Sequence, residues 1–373
     1  MKIIIDGRML YWTGVGRYTK ALLENLEQLD KRNEYLVLVR KADWKLWEPK
    51  SGNFMRMEVN IDPYTFAEQL RLPRLLEELG PDLVHFTVPN AGVFYLGKKV
   101  VTVHDLTLLD FDTSRGTGLK KWLRGLKRLP FRLVLWANTR TATAVVTPTV
   151  YVKEQLVRRF GVAGGKIHVT PLAADPLLGK SEPIEKLGVG KDFLLYWGNY
   201  YPYKNVGSTL DALKLLSVKW PNLQLVLAGK PDYFQEQLTA RAKEMGMGEQ
   251  VKFLGFVSDG ELVSLCKAAA LLVLPSLSEG FGLQGLEAMP HGVPVLAANA
   301  SCLPEVYGEA AVYFDPHDPK DQAEKIDDLL RNDELREKLV RAGYDRVKMY
   351  SWERTARRTL AAYRNALGLK PEA

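Results

Sequence analysis

A chain of 373 residues, 46% hydrophobic and 25% charged, reads as a globular protein long enough for two domains, each with its own core. Two cysteines, Cys266 and Cys302, exclude a disulfide framework and fit a reducing cytosol, and no apolar run reaches the roughly 18 residues of a membrane span. The short Ile run before Asp6 is too brief for a signal sequence, and a cytoplasmic location is expected.

Alternating apolar strands and helices predict a mostly parallel sheet. Lys2–Asp6 is the first strand; Gly7 to Tyr18 follow, and a helix runs on to about Leu29. Ligands of such sheets gather beyond the carboxyl ends of the strands, which places this loop at a cleft. Its Gly14-x-Gly16 lacks the third glycine of a dinucleotide fingerprint and reads equally as a plain turn. Tyr11 and Trp12 offer flat faces to a sugar or to the core. Further strands are predicted at 35–39, 55–59, 82–86 and 99–103, the last ending in His104-Asp105 at a carboxyl end. Asp110-Phe111-Asp112 reads as solvated loop. The five histidines are scattered and neither Cys has zinc spacing, so no metal site is expected.

The formal charge of +7 is unevenly spread. No Asp or Glu occurs between Thr113 and Lys153, where Arg115, Lys120, Lys121, Arg124, Lys127, Arg128, Arg132, Arg140 and Lys153 are basic. Leu119, Trp122, Leu123 and Leu126 fall at helical spacing, and Pro130 is expected to stop the pattern. A basic amphipathic helix over Arg115 to Arg132 suits an anionic membrane surface, on the inner face of the membrane, or simply packs its apolar stripe on the core. Nucleic acid is not expected, because no known binding module is present.

A strand at 144–147, a helix at 150–160 and a strand at 166–170 complete the first domain, and residues 171–176 read as the hinge. The glycines at 161, 164 and 165 have the wrong spacing for an ATPase phosphate loop. The second domain opens with a strand at 193–197, then Gly198-Asn199-Tyr200-Tyr201-Pro202-Tyr203-Lys204-Asn205 and a helix. Lys204, near that helix's start, suits a diphosphate. Strands at 224–227, 251–254, 271–274 and 293–297 alternate with helices near 234–245, 259–268 and 283–289, and helices at 319–331, 333–349 and 351–367 close the chain.

The most informative stretch is Ser276-Leu277-Ser278-Glu279-Gly280-Phe281-Gly282-Leu283-Gln284-Gly285-Leu286-Glu287-Ala288-Met289. A buried strand feeds a helix through a glycine-spaced turn, so the first helical amides are left to receive phosphate. Two flanking acids, Glu279 and Glu287, suit the hydroxyls of a sugar. On one helix, eight residues would separate them by about 12 Å, more than the roughly 5–9.5 Å of a glycosidase pair. The spacing fits one elongated ligand held at two points.

Glu279-x7-Glu287 in SEGFGLQGLEAM resembles the donor signature of the retaining family-4 glycosyltransferases. MKIIIDGRML…GVGRY, VTVHDLT, WGNYYPYKN, VKFLGFVSDGEL and YSWERTA extend the resemblance, in order, over nearly the whole chain. It implies the GT-B fold: two Rossmann-like, doubly wound α/β domains facing a cleft. Residues 1–172 would form the acceptor-binding domain, residues 173–354 the nucleotide-sugar domain, and a last helix at about 355–373 would cross back to the first.

The resemblance also implies roles. His104 would sit beside the transferred sugar, Lys204 and the Gly282 and Leu283 amides on the diphosphate, Glu279 and the Phe281 backbone on the sugar hydroxyls, and Glu287 on the ribose. Gly14, Gly16, Gly198 and Asn199 would approach the donor, Phe256 and Val257 would line the base pocket, and Tyr11, Trp12 and Arg17 would meet the acceptor. Many relatives carry Arg where Asn199 stands and Pro-Val where Gln284-Gly285 stands. The expected reaction moves a hexose, first of all mannose from GDP-mannose, to a sugar or lipid-linked glycan by a metal-independent front-face route, with no cofactor. Phosphorylase or nucleotide-sugar hydrolase activity, or a non-catalytic sugar-binding subunit, are the alternatives on the same scaffold.

Overall fold

The computed structural model describes residues 1–90, 92–113, 128–175, 177 and 179–370. The chain divides into two compact units. Described residues of Met1–Leu109, Gly116–Leu172 and Ser351–Ala373 form the first, and those of Asp110–Arg115 and Ala173–Tyr350 form the second.

The first unit is built on a parallel seven-stranded sheet of β1 (Lys2–Asp6), β2 (Glu34–Val39), β3 (Phe54–Glu58), β4 (Leu83–Phe86), β5 (Lys99–Thr102), β6 (Ala144–Thr147) and β7 (Ile167–Val169), in the order β3-β2-β1-β4-β5-β6-β7. Strand order reverses between β1 and β4, which opens a crevice at their carboxyl ends. Ile4, Val84, Phe86, Val101 and Val145 of the strands pack in one core with Leu72 and Leu76 of helix Phe66–Leu79, Leu135 of helix Arg128–Thr141, and Val152 and Leu156 of helix Val150–Phe160. The last helix, Trp352–Leu367, packs on helix Thr13–Leu29 and on β4 to β7.

The second unit repeats the plan with β8 (Phe193–Trp197), β9 (Gln224–Ala228), β10 (Val251–Gly255), β11 (Leu271–Leu274), β12 (Val295–Ala298) and β13 (Ala311–Phe314). They are parallel in the order β10-β9-β8-β11-β12-β13, so its crevice opens between β8 and β11. Both units are Rossmann-like.

Three local features differ from the sequence reading. Helix Thr13–Leu29 starts early, so Gly14 and Gly16 belong to its first turn instead of a preceding loop. Pro130 lies inside helix Arg128–Thr141, which continues past it to Thr141, whereas the sequence reading expected the helical pattern to stop there. Helix Phe66–Leu79 forms around Pro73, framed by the Thr65 cap, which accepts from the Glu68 N–H, and by Gly80 in the left-handed region (φ 57°). The basic residues 115 to 127 lie outside the described residues.

A buried polar chain ties the last helix to the first sheet. His85 of β4 contacts the Tyr363 hydroxyl through Nδ1 (2.6 Å) and Thr102 Oγ1 through Nε2 (2.8 Å), and the Tyr18 hydroxyl meets the same Thr102 oxygen at 3.1 Å. Burial depresses the His85 pKa to about 3. On acidification the unfolded chain therefore takes up the proton first. The stability owed to the neutral ring is complete above about pH 6.5 and is lost as pH falls towards 3, at about 1.4 kcal/mol per pH unit. Melting temperatures measured from pH 7 to 5 are expected to fall less steeply for His85→Gln than for the parent; equal slopes would contradict the burial argument.

Candidate functional site

In the second unit the chain leaves β8 through Gly198, whose φ of 136° lies outside the ordinary range of L-residues and whose added Cβ would stand 2.8 Å from Gln284 Nε2. Gly229, just after β9, would carry a Cβ only 2.0 Å from the Gly198 carbonyl oxygen, and Gly255 ends β10 at φ 70°. Glycine therefore marks three neighbouring carboxyl ends, where the backbones crowd and a ligand can come close. Phe256 follows, 75% exposed, and so is available to a flat ligand instead of belonging to the core.

Asn199 accepts from the Tyr201 N–H through Oδ1 (3.4 Å), while its carbonyl accepts from the Tyr196 hydroxyl (2.5 Å). It shapes its own turn. Lys204 closes the short turn Pro202–Lys204, and the left-handed Asn205 (φ 53°) starts helix Val206–Leu216. The turn after β11 comes alongside, since the Leu277 N–H donates to the Tyr203 carbonyl at 2.8 Å. That brings Lys204 Nζ to 2.5 Å from Glu279 Oε1, with both side chains nearly buried.

Glu279 is held at both ends of its backbone. Its N–H donates to Ser301 Oγ (3.1 Å), and its carbonyl accepts from Cys302 Sγ (3.2 Å). Gly282 (φ 87°) then caps helix Leu283–Ala288, a position without a side chain to do so. The Phe281 ring turns inward in an edge-to-face contact with Tyr350, and the residue is buried. Gln284 reaches back to donate to the Trp197 carbonyl at 2.8 Å. Glu287 sits one turn further on, 5% exposed. The two acids thus belong to different elements, turn and helix, and not to one helix. Cys302 is deeply buried, and its thiol pKa is pushed well above 9 by burial and by the Glu279 charge.

In the first unit, the candidates lie around the carboxyl ends of β1 and β5. Trp12 precedes helix Thr13–Leu29 and stacks on Tyr64 (5.4 Å, 6°), with Tyr11 edge-on at 5.9 Å and the Arg40 guanidinium 4.1 Å over Tyr11. Tyr11 is 46% exposed; Arg17 is exposed on the helix. His104 Nε2 is 3.0 Å from the Thr87 carbonyl, which can only accept, so Nε2 carries the proton and Nδ1 is the acceptor. Burial lowers the His104 pKa, against the Thr87 hydrogen bond and the Asp105 charge, so the ring is neutral at pH 7. Tyr18 packs edge-on against it at 4.8 Å.

The sequence reading identified Lys204 and Glu279 but not their contact. It missed Gly229, Tyr64, Ser301 and Tyr307. Of these only Gly229 carried a signal, a glycine directly after an apolar strand.

Residues 180–346 match the family described as Glycosyl transferases group 1, and residues 12–176 match Glycosyltransferase Family 4. The O-antigen chain mannosyltransferase B of Escherichia coli is 28% identical over 395 residues, covering 98% of this chain and 100% of that protein. The MMP alpha-(1->4)-mannosyltransferase of Mycolicibacterium hassiacum is 33% identical over 320 residues, covering 82% and 76% respectively. The solved sucrose-phosphate synthase of Thermosynechococcus elongatus shares the fold, with a TM-score of 0.75 at 21% identity over 98% of both chains.

Gly16 and Gly14 make a controlled pair. A Cβ on Gly16 would stand 2.1 Å from the Leu10 carbonyl oxygen, whereas one on Gly14 meets nothing within 4 Å. Gly16→Ala is expected to lower the melting temperature by several degrees, while Gly14→Ala leaves it unchanged or raises it, by up to about 1 kcal/mol of stability. Thermal unfolding of both variants checks this.

Proposed function

We propose that this chain, which belongs to the family-4 glycosyltransferases, moves mannose from GDP-mannose to a glycan or lipid-linked glycan acceptor with retention of configuration. The mannosyltransferase relatives support the sugar. The observation that carries the site is the Lys204–Glu279 pair at the carboxyl ends of β8 and β11, where the strand order reverses.

In the resting chain that pair neutralises itself. A bound donor offers each partner a better complement: the diphosphate attracts the Lys204 ammonium, and sugar hydroxyls donate to Glu279. The Gly282 and Leu283 amides face the diphosphate, Glu287 the ribose, and Phe256 with Val257 the base. Gly198 and Asn199 shape the diphosphate side, and Asn199 supplies no positive charge there. His104 accepts from a hydroxyl of the transferred sugar through Nδ1. The family resemblance assigns Gly14 and Gly16, in the first turn of helix Thr13–Leu29, to the donor, and Tyr11, Trp12 and Arg17 to the acceptor.

The bond from the sugar's anomeric carbon to the diphosphate oxygen breaks as the acceptor oxygen bonds to that carbon on the same face. The acceptor's proton passes to the departing phosphate oxygen, so neither a protein nucleophile nor a metal is required. What the protein supplies is fixed positive charge and hydrogen-bond donors where negative charge grows.

Glu279→Ala and Lys204→Ala are each expected to fold and to lose about 10²–10³ in transfer rate, measured by release of nucleoside diphosphate in the presence of acceptor. Turnover within a few-fold of the parent in either variant would remove that residue from the mechanism.

No helix of the described residues is long and apolar enough to cross a membrane. Helix Arg128–Thr141 exposes Leu129, Leu133 and Trp136 beside the exposed Arg132 and Arg140. That stripe supports contact with an anionic membrane surface, where a lipid-linked acceptor would reside. Flotation with vesicles containing phosphatidylglycerol is expected to carry the protein upward, and Leu133→Glu with Trp136→Glu to abolish it. Equal flotation with and without anionic lipid would contradict the contact.

A further inference from the structure

The turn that receives the diphosphate in the reading above has a structural difficulty. Gly282 begins helix Leu283–Ala288 and has no side chain with which to cap it. The first amides of a helix lack partners within it, and a serine or aspartate at the cap would ordinarily take the amide three residues on. That amide belongs to Gly285. Its N–H instead donates to the hydroxyl of Tyr307, at 3.3 Å, and the same hydroxyl donates to the Gly282 carbonyl at 2.6 Å. Tyr307 comes from helix Leu303–Tyr307, after β12, and is wholly buried.

We propose that Tyr307 is the positioning residue of the donor turn, a cap supplied from outside the helix that aims the Leu283 amide at the diphosphate, and that Gly285 is small in order to admit it.

The geometry follows from the peptide unit. The carbonyl of Gly282 and the N–H of Leu283 belong to one planar trans peptide and point in opposite directions. Once the Tyr307 hydroxyl fixes that carbonyl towards the buried ring, the Leu283 N–H is directed the other way. The fit is close on both sides. A Cβ on Gly285 would lie 2.5 Å from the Tyr307 ring, and one on Gly282 would lie 2.6 Å from its hydroxyl oxygen. Burial and the Glu279 charge raise the Tyr307 pKa well above 10, so the hydroxyl stays protonated and both donates and accepts. The same segment steadies the other end of the turn. Ser301, itself held in the left-handed region at φ 51°, accepts from the Glu279 N–H, and Cys302 donates to the Glu279 carbonyl. Residues 301 to 307 thus grip the turn at Glu279, Gly282 and Gly285.

Tyr307→Phe keeps the ring and removes only the oxygen. The test is calorimetric titration of GDP, UDP and ADP, and of the matching monophosphates, into the parent and into Tyr307→Phe, with thermal unfolding of both. The parent is expected to bind one diphosphate more tightly than its monophosphate. In Tyr307→Phe the diphosphate affinity should fall about tenfold while the monophosphate affinity is unchanged, a split that general loosening of the fold would not produce. Should Tyr307→Phe fail to fold, Gly285→Ala, which presses a methyl group on the ring, is expected to give the same split. A preserved diphosphate preference in the folded variant would overturn the role of Tyr307 and leave the donor site standing. A parent that binds none of the three diphosphates would overturn the donor site itself.

Discussion

The site depends on an ion pair removed from water. Lys204 and Glu279 stand 2.5 Å apart with side chains 9% and 14% exposed. Deprived of most hydration, each charge must have a partner, and loss of either leaves the other stranded. A donor that carries phosphates at one end and hydroxyls at the other can satisfy both at once. On the proposed function the pair is a socket for a ligand with both kinds of group, each partner exchanging the other for the group that matches it.

Topology places that socket. In a doubly wound sheet the connections after the two central strands leave in opposite directions, so the space beyond β8 and β11 is free of crossing chain. Gly198 and the turn around Glu279 are the exits from those two strands. Glycines at 198, 229 and 255 keep the floor low where three strands end, and Phe256 stands exposed at its edge. In the first sheet the segment around Trp12 follows β1, and His104 follows β5, one strand beyond the reversal between β1 and β4; the Thr87 carbonyl fixes the histidine tautomer.

Much of this was legible in the chain itself. Strands such as β6, β8 and β11 are buried on both faces, so they appear as continuous apolar runs and their limits can be read directly. Helix Phe66–Leu79 was concealed by Pro73, and its cap depends on the Thr65 side chain as much as on pattern. The start of helix Thr13–Leu29 was hidden because Trp12 caps it without a polar side chain. β13 is a short edge strand with two half-buried residues and little alternation to detect. At the site, single residues were visible because glycines and acids in an apolar setting stand out. Their contacts were not, since Lys204 meets Glu279 across 75 residues and Tyr307 reaches Gly282 across 25. Two departures from the usual pattern have local structural partners: Gln284 ties helix Leu283–Ala288 to the end of β8, and Gly285 makes room for a ring.

The most direct measurement is a crystal structure of the chain with GDP-mannose. The Lys204–Glu279 pair should be opened, with the diphosphate against Lys204 and the Leu283 amide, and with Glu279 accepting from hydroxyls of the sugar. A complex in which that pair stays closed while the nucleotide-sugar lies elsewhere would contradict the assignment of this turn as the donor site.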